Sequence, residues 1–258
     1  MNTDKEIDYV LYNNDCLYVM PAIADKSVDM ILADLPYGTT ACKWDTIIPF
    51  EPLWKEYKRI IKDNGAIVLT ASQPFTSKLV MSNYKMFKYE WIWIKNRGSN
   101  FASVKKIPIK EHESCLVFYN SKITYNPIMQ GRTGGGKQRV TKPFKKTRSK
   151  ISEHGVEVNG AEWLSEDRYP SSWQKFNCEV GMHPTQKPVG LFEYLIRTYT
   201  NEGDLVFDGF GGSGTTAIAA HRTKRNFIVI EKDKRYFEIA SKRLYQERNP
   251  LSTFDEAS

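Results

Sequence analysis

Asp204-Leu205-Val206-Phe207-Asp208-Gly209-Phe210-Gly211-Gly212-Ser213-Gly214-Thr215-Thr216 places a short apolar run, an acid, four glycines and a helix-forming stretch in direct succession. The order predicts a buried strand over Asp204–Phe207, a tight turn, and a helix from Thr215 to Arg222. Gly209, Gly211 and Gly214 satisfy the spacing G-x-G-x-x-G. Glu231 follows 22 residues after Gly209, at the end of an expected strand Phe227–Ile230, where an acid would take ribose hydroxyls. On its own this spacing fits a dinucleotide enzyme and a methyltransferase equally. Asp208 tilts the choice, because a carboxylate ahead of the glycines would hold an ammonium group and repel a pyrophosphate.

Upstream of this turn the chain repeats strand-then-helix units. Strands are expected at Asp8–Leu11, Val28–Leu32, Gly65–Thr70, Tyr89–Ile94 and Ser114–Tyr119, with helices near Leu17–Ile23, Pro52–Lys62 and Phe75–Met81. The runs Val28–Leu32 and Gly65–Thr70 are apolar almost throughout, as strands covered on both faces are. Downstream come a helix from Val189 to Tyr199 and a last one from Tyr236 to Arg248. Few hairpin signals appear in the first half, so the expected fold is α/β: a doubly wound, mostly parallel, Rossmann-like sheet. Asp15, Asp34, Asp208 and Glu231 all fall at carboxyl ends of strands, the rim where such sheets bind ligands. Each acid alone would serve as a helix N-cap. Four at one rim point to a ligand site, most economically with the strands ending at Asp34 and Asp208 side by side.

The stretch Asp34-Leu35-Pro36-Tyr37 offers an acid, a backbone carbonyl held extended by the following proline, and an aromatic face. Together they can accept an amino group and stack on a flat ring. Cys16, Cys42, Cys115 and Cys178 lie far apart with no C-x-x-C pair, so neither a disulfide framework nor a metal site is expected. No apolar run of about 18 residues occurs, and Met1–Asp8 has no signal-peptide core, so a cytoplasmic protein is expected.

The net charge of +7 is concentrated: residues 121–150 hold nine Lys/Arg and no Asp or Glu, which leaves the rest of the chain slightly acidic. Such a segment suits a polyanion, because neutralised phosphates release counterions. The buried-strand pattern also lapses there. The chain is therefore expected to divide into an α/β half over 1–124, a basic insert over 125–180, a second α/β half over 181–250 and a tail over 251–258. Within the insert, Arg132, Lys137, Arg139, Lys142, Lys145, Lys146 and Arg148 are the candidate phosphate contacts, with Phe144, Trp163 and Trp173 as packing or stacking rings. Outside it, the basic segment Lys95–Lys106 reads either as a loop over substrate or as a solvated connection, and it adds Arg97, Lys105 and Lys106 to the DNA candidates.

Asp34-Leu35-Pro36-Tyr37, His183-Pro184-Thr185-Gln186-Lys187-Pro188 and Asp208–Thr216, in that order, resemble the motifs of the beta group of S-adenosylmethionine-dependent DNA amino-methyltransferases of restriction-modification systems and phages. Leu35 departs from the family, which usually has proline there. The resemblance spans about Tyr9 to Leu244 and implies the following roles. Residues 1–124 would be the catalytic half, 125–180 the target-recognition insert and 181–250 the cofactor half. Asp34, Leu35, Pro36 and Tyr37 would activate a flipped-out amine. Asp15, Cys16, Asp34, Thr185, Lys187, Asp208, Gly209, Phe210, Gly211, Gly212, Ser213, Gly214, Thr215 and Glu231 would bind S-adenosylmethionine, with adenine near Asp15 and Cys16. Double-stranded DNA is the implied partner, no metal is needed, and a homodimer is compatible. The leading Asp34 resembles N6-adenine enzymes more than the serine-led N4-cytosine ones. Carbon methylation is disfavoured, because no Pro-Cys pair supplies a thiolate. A nicotinamide-dependent oxidoreductase, a non-catalytic DNA-binding protein, and methylation of RNA or of a protein amide remain as alternatives.

Overall fold

The computed structural model describes residues 7–38, 45–131, 167–179 and 186–250. In chain order the elements are β1 (Tyr9–Asn13), α1 (Cys16–Val19), β2 (Val28–Asp34), α2 (Phe50–Ile60), β3 (Ile61–Ala71), α3 (Phe75–Ser82), β4 (Phe87–Ser99), β5 (Lys110–Phe118), β6 (Gln130–Gly131), β7 (Asp167–Arg168), β8 (Trp173–Lys175), α4 (Val189–Tyr199), β9 (Leu205–Asp208), α5 (Thr215–Arg222), β10 (Asn226–Glu231) and α6 (Lys234–Arg248). The helix expected over Leu17–Ile23 is split: α1 gives way to a 3-10 turn at Met20–Ala22, where Pro21 lacks the N–H to continue an α-helix.

Eight strands form one sheet in the order β1-β10-β9-β2-β3-β5-β4-β8. The pairings from β1 to β3 are all parallel, as is that of β4 with β8. β5 is antiparallel to both β3 and β4. Alternation along β2 fills two layers. Met30 and Leu32 face Leu191, Leu195, Ala217 and Ile218 of α4 and α5. Ile31, Ala33 and Leu35 face the other way, onto Leu53, Tyr57 and Ile60 of α2 and Phe75 and Leu79 of α3. All of these are essentially inaccessible to water, and each large aliphatic side chain so buried contributes about 1.5–3 kcal/mol.

From the centre of the sheet the chain winds both ways: β2 leads through α2 to β3, while β9 leads through α5 to β10 on the opposite side. β2 and β9 are neighbours at this switch, with Met30 opposite Val206 and Ile31 opposite Phe207. Their carboxyl ends carry Asp34 and Asp208 to the same rim, where strand order reverses and a crevice opens.

Two compact units are distinguishable, one of Met1–Asn126 with Ser172–Ser258 and one of Pro127–Ser171. In the second, β6 and β7 pair antiparallel, and Ser171 N–H donates to Gln130 Oε1 at 3.1 Å. Trp173, expected in the recognition insert, belongs instead to the main sheet. There β8 covers the edge of β4, Ile92 N–H donates to the Ser172 carbonyl at 2.8 Å, and the Lys175 ammonium lies 5.8 Å from the Trp173 ring. Phe144, Trp163, Cys42, Thr185 and the insert cations from Arg132 to Arg148 lie outside the described residues.

Candidate active site

A cavity of about 730 Å³ opens at the switch between β2 and β9. Asp34, Leu35, Pro36 and Tyr37 line it, as do Asp208 through Ser213, Thr215, Glu231, Asp15, Cys16 and Lys187. Gly214 does not line it and serves the backbone instead: its φ of +86° turns the chain into α5, and a Cβ there would meet Ala240 Cβ of α6 at 2.9 Å. Gly211 allows close approach, since a Cβ would stand 2.3 Å from Val229 Cγ1 of β10.

On the catalytic side, Asp34 sits within a set of donors. Tyr37 Oη donates to Asp34 Oδ1 at 2.9 Å, and Thr70 Oγ1 donates to the same oxygen. Thr70 is the register partner of Asp34 on β3 and is fully buried. Lys187 Nζ donates to Asp34 Oδ2 at 2.7 Å and lies 3.4 Å from Glu113 Oε2, while Glu113 Oε1 pairs with Lys95. The result is a row of alternating charges, Asp34–Lys187–Glu113–Lys95, in which Lys187 is buried and the other three are partly buried. Burial alone would strip the proton from Lys187, but the carboxylates of Asp34 and Glu113 more than offset it and hold its pKa above that of a free lysine. Burial likewise works against ionised Glu113, yet Lys187 and Lys95 hold its carboxyl below the usual range. The Tyr37 phenol, pushed far up by burial and by the neighbouring acids, stays a neutral donor. Its ring stacks on Phe75 at 5.2 Å and 23°, which fixes its plane.

The cofactor side has a different electrostatic character. Asp208 is 2% exposed; it accepts from Thr216 Oγ1 and from Phe210 N–H at 2.8 Å, and among the described residues no cation pairs with it. Burial pushes its carboxyl up to about 7 against those hydrogen bonds. A buried acid of this kind, facing a cavity, is complementary to an ammonium group. Glu231 accepts Gly212 N–H through Oε2 and Asp233 N–H through Oε1, each at 2.7 Å. The Lys232 backbone N–H also interacts with this carboxylate, whose roughly four lone-pair sites leave room for a hydroxyl. Asp15 caps α1 by accepting Leu17 N–H at 2.9 Å and is joined by Lys232 at 2.9 Å. Burial pushes the Cys16 thiol up to about 12, which keeps it protonated beside the cavity.

Most candidates from the sequence therefore converge on one cavity, and Asp208 and Glu231 offer groups that fit a zwitterionic, ribose-bearing ligand. Lys187 lines the same cavity, with its ammonium on Asp34 and Glu113. Arg97, Lys105 and Lys106 do not line the cavity; they lie on the strand ends and connection of the β4–β5 hairpin. Thr70, Lys95 and Glu113 are functional neighbours absent from the sequence candidates. The one available signal was a polar residue closing each apolar run, Thr70 after Ala66–Leu69 and Glu113 just before Ser114–Phe118.

The chain matches the N6/N4 methyltransferase family, described as DNA methylase, over residues 28–242. Type II methyltransferase M.HindIII of Haemophilus influenzae is 45% identical to it, over 93% of this chain and 96% of that one. DNA adenine methyltransferase YhdJ of Escherichia coli is 28% identical, over 91% of this chain and 82% of that one. Among solved structures, the M1.HpyAVI-SAM complex shares the fold with a TM-score of 0.58 at 24% identity, covering 92% of this chain and 100% of that one. The matched span takes in both rim acids and the turn between β9 and α5, and the chain belongs to the N6/N4 DNA methylase family.

Proposed function

We propose that the protein is a site-specific DNA methyltransferase of the restriction-modification type, acting with S-adenosylmethionine on the N6 amine of an adenine flipped out of duplex DNA. The observation that carries this is the pairing of β2 with β9, which brings an amine-accepting acid and an ammonium-accepting acid to one cavity. When bound, S-adenosylmethionine supplies a sulfonium methyl as the electrophile. Asp208 would hold its ammonium, Glu231 its ribose, and the wall around Asp15 and Cys16 its adenine.

An exocyclic amine is a weak nucleophile because its lone pair is delocalised into the ring. Asp34 addresses this by accepting an N–H, and its geometry selects the oxygen. A carboxylate has about four lone-pair sites. Oδ1 already accepts from Thr70 and Tyr37, whereas Oδ2 accepts only from Lys187. Oδ2 is therefore the free acceptor for the amine, and the Leu35 carbonyl takes its second hydrogen. The two bonds favour a pyramidal nitrogen whose lone pair is free for in-line attack. Positioning and electrostatics supply the rate, with no covalent enzyme intermediate. Oδ2 is also the nearest acceptor for the proton lost as the nitrogen is methylated. Tyr37, whose ring stacks on Phe75 and has Lys187 Nζ 5.3 Å from its centroid, would pack against the base. Flipping costs a few kcal/mol of unstacking, drawn from DNA contacts of the basic insert and of Arg97, Lys105 and Lys106.

Adenine is favoured by the leading Asp34 and by the relative named as an adenine methyltransferase. Transfer of labelled methyl groups to unmodified DNA, followed by sequencing for modified bases, tests the proposal. The expected product is N6-methyladenine at a fixed sequence, with Asp34→Ala inactive yet still binding cofactor. Full activity in Asp34→Ala would overturn the mechanism, and N4-methylcytosine would reassign the base.

A further inference from the structure

Because β5 runs antiparallel to β3, the β4–β5 hairpin climbs past the rim that carries Asp34. The register sets the scale: Asp34 pairs with Thr70, Thr70 with Cys115, and β5 begins five residues earlier at Lys110. At about 3.4 Å per residue the top of the strands stands about 17 Å above Asp34, and two strand spacings place it about 10 Å to one side. DNA must lie over this rim for a flipped base to reach Asp34, so the hairpin rises into the space the duplex occupies.

The tip is a shaped element. Asn100, at φ +64°, spans it: Nδ2 donates to the Pro108 carbonyl at 3.0 Å and Oδ1 accepts Lys110 N–H at 2.8 Å. The Ser103 carbonyl accepts Lys106 N–H at 2.8 Å and Ile107 N–H at 3.0 Å. On this frame Phe101 is 63% exposed, with Val104 and Ile107 also open to water. Clustered exposed apolar side chains mark an interaction surface. Residues 95–110 contain five Lys/Arg and no Asp or Glu, of which Arg97, Lys105 and Lys106 are exposed. An exposed apolar point on a segment that also carries exposed cations is complementary to stacked bases between phosphates, and apolar wedges inserted at base steps use this combination.

We propose that Phe101 enters the base stack where the target nucleotide leaves it, with Lys105 and Lys106 on the flanking phosphates. This rests on the methyl transfer to flipped adenine proposed above. A wedge of this kind lowers the cost of flipping, so its value depends on how firmly the target base is stacked and paired. The test compares methyl transfer to a duplex carrying the mapped site with transfer to the same duplex carrying a mismatch opposite the target base. Phe101→Ala is expected to lose at least about tenfold on the matched duplex and to recover to within about threefold of the wild type on the mismatch, where flipping costs less. Phe101→Leu, which keeps an apolar wedge, is expected to stay near wild type on both. An equal loss on both duplexes, or no loss on either, overturns the wedge. Absence of transfer by the wild-type chain on either duplex overturns the underlying reaction, and the wedge with it.

Discussion

Lys187 Nζ lies 2.7 Å from Asp34 Oδ2 and makes the proposed amine-accepting carboxylate one end of a partly buried charge row. The ammonium fixes one oxygen of a carboxylate that lines the cavity. Lys187→Met removes that anchor without touching Asp208 or Glu231. The expected result is a fall in single-turnover methyl transfer of about a hundredfold, with cofactor affinity changed by less than about threefold. Stability should fall by less than the about 3–5 kcal/mol typical of breaking a buried pair, because Glu113 keeps Lys95. Calorimetric titration with cofactor separates the outcomes: a collapse of binding with transfer intact once cofactor saturates would make Lys187 a cofactor ligand instead.

As the proposed partner of the cofactor's ammonium, Asp208 is expected to give cofactor binding a pH dependence whose sign follows from its pKa shift. In the free protein its carboxyl is pushed up to about 7 from an ordinary value of 3.8. Between those values the folded chain holds a proton that the unfolded chain has lost, so stability falls as pH rises through this window and levels above it. Bound ammonium lowers the pKa, so binding below about 7 must expel the proton, and affinity should improve by up to tenfold per unit between about pH 5 and 7. Asp208→Asn should weaken binding, flatten this dependence, and raise the apo protein's Tm by a few degrees at pH 8. Titrations at several pH values together with thermal unfolding check all three; an unchanged pH slope in the variant would assign it to another group.

The parts of the fold readable in the sequence are those set by local pattern. α4 and α5 occupy the expected Val189–Tyr199 and Thr215–Arg222, and β2 and β3 contain the expected apolar runs, because covered strands and amphipathic helices leave their period in the residues. The four rim acids were legible for the same reason. The neighbouring of the strands that end at Asp34 and Asp208 was also expected and is observed as the β2–β9 pair; what stayed hidden is the strand order at the β3–β5–β4–β8 edge. β4 and β5 are joined through residues 100–109 with no turn dipeptide, too short for the crossover that parallel strands require, and only their antiparallel pairing brings Glu113 and Lys95 to the rim beside Lys187. Trp173 looked like part of the insert because three residues of edge strand carry no periodicity of their own.

The glycine turn contains two positions that look alike in sequence and differ in space. Gly211 N–H donates to the Ile230 carbonyl at 2.8 Å, and an added Cβ would meet Val229 Cγ1 at 2.3 Å. Valine has little rotamer freedom with which to yield. Gly212 has φ +52° but open space around it, so alanine there costs only about 1–2 kcal/mol of backbone strain. Gly211→Ala is expected to lower Tm and weaken cofactor binding more than about tenfold, since the turn must lift off β10. Gly212→Ala should lose a few degrees of Tm and keep affinity within about threefold. Equal effects would mean that backbone strain, and not contact with β10, governs the turn.

The basic insert is proposed to hold DNA, because its sequence places nine Lys/Arg and no acid within residues 121–150. Each phosphate contact releases condensed counterions and adds about 0.9 to the slope of log affinity against log salt. Replacing Lys142, Lys145 and Lys146 by alanine together should weaken DNA binding and flatten that slope by up to about 2.7, if all three meet phosphate. Cofactor affinity and transfer at saturating DNA should hardly change, because the cavity at Asp34 and Asp208 is built from the other unit of the chain. Binding isotherms at four or more salt concentrations measure the slope directly. An unchanged slope with intact activity would shift the phosphate contacts to other cations, with Arg97, Lys105 and Lys106 of the β4–β5 hairpin the first to replace.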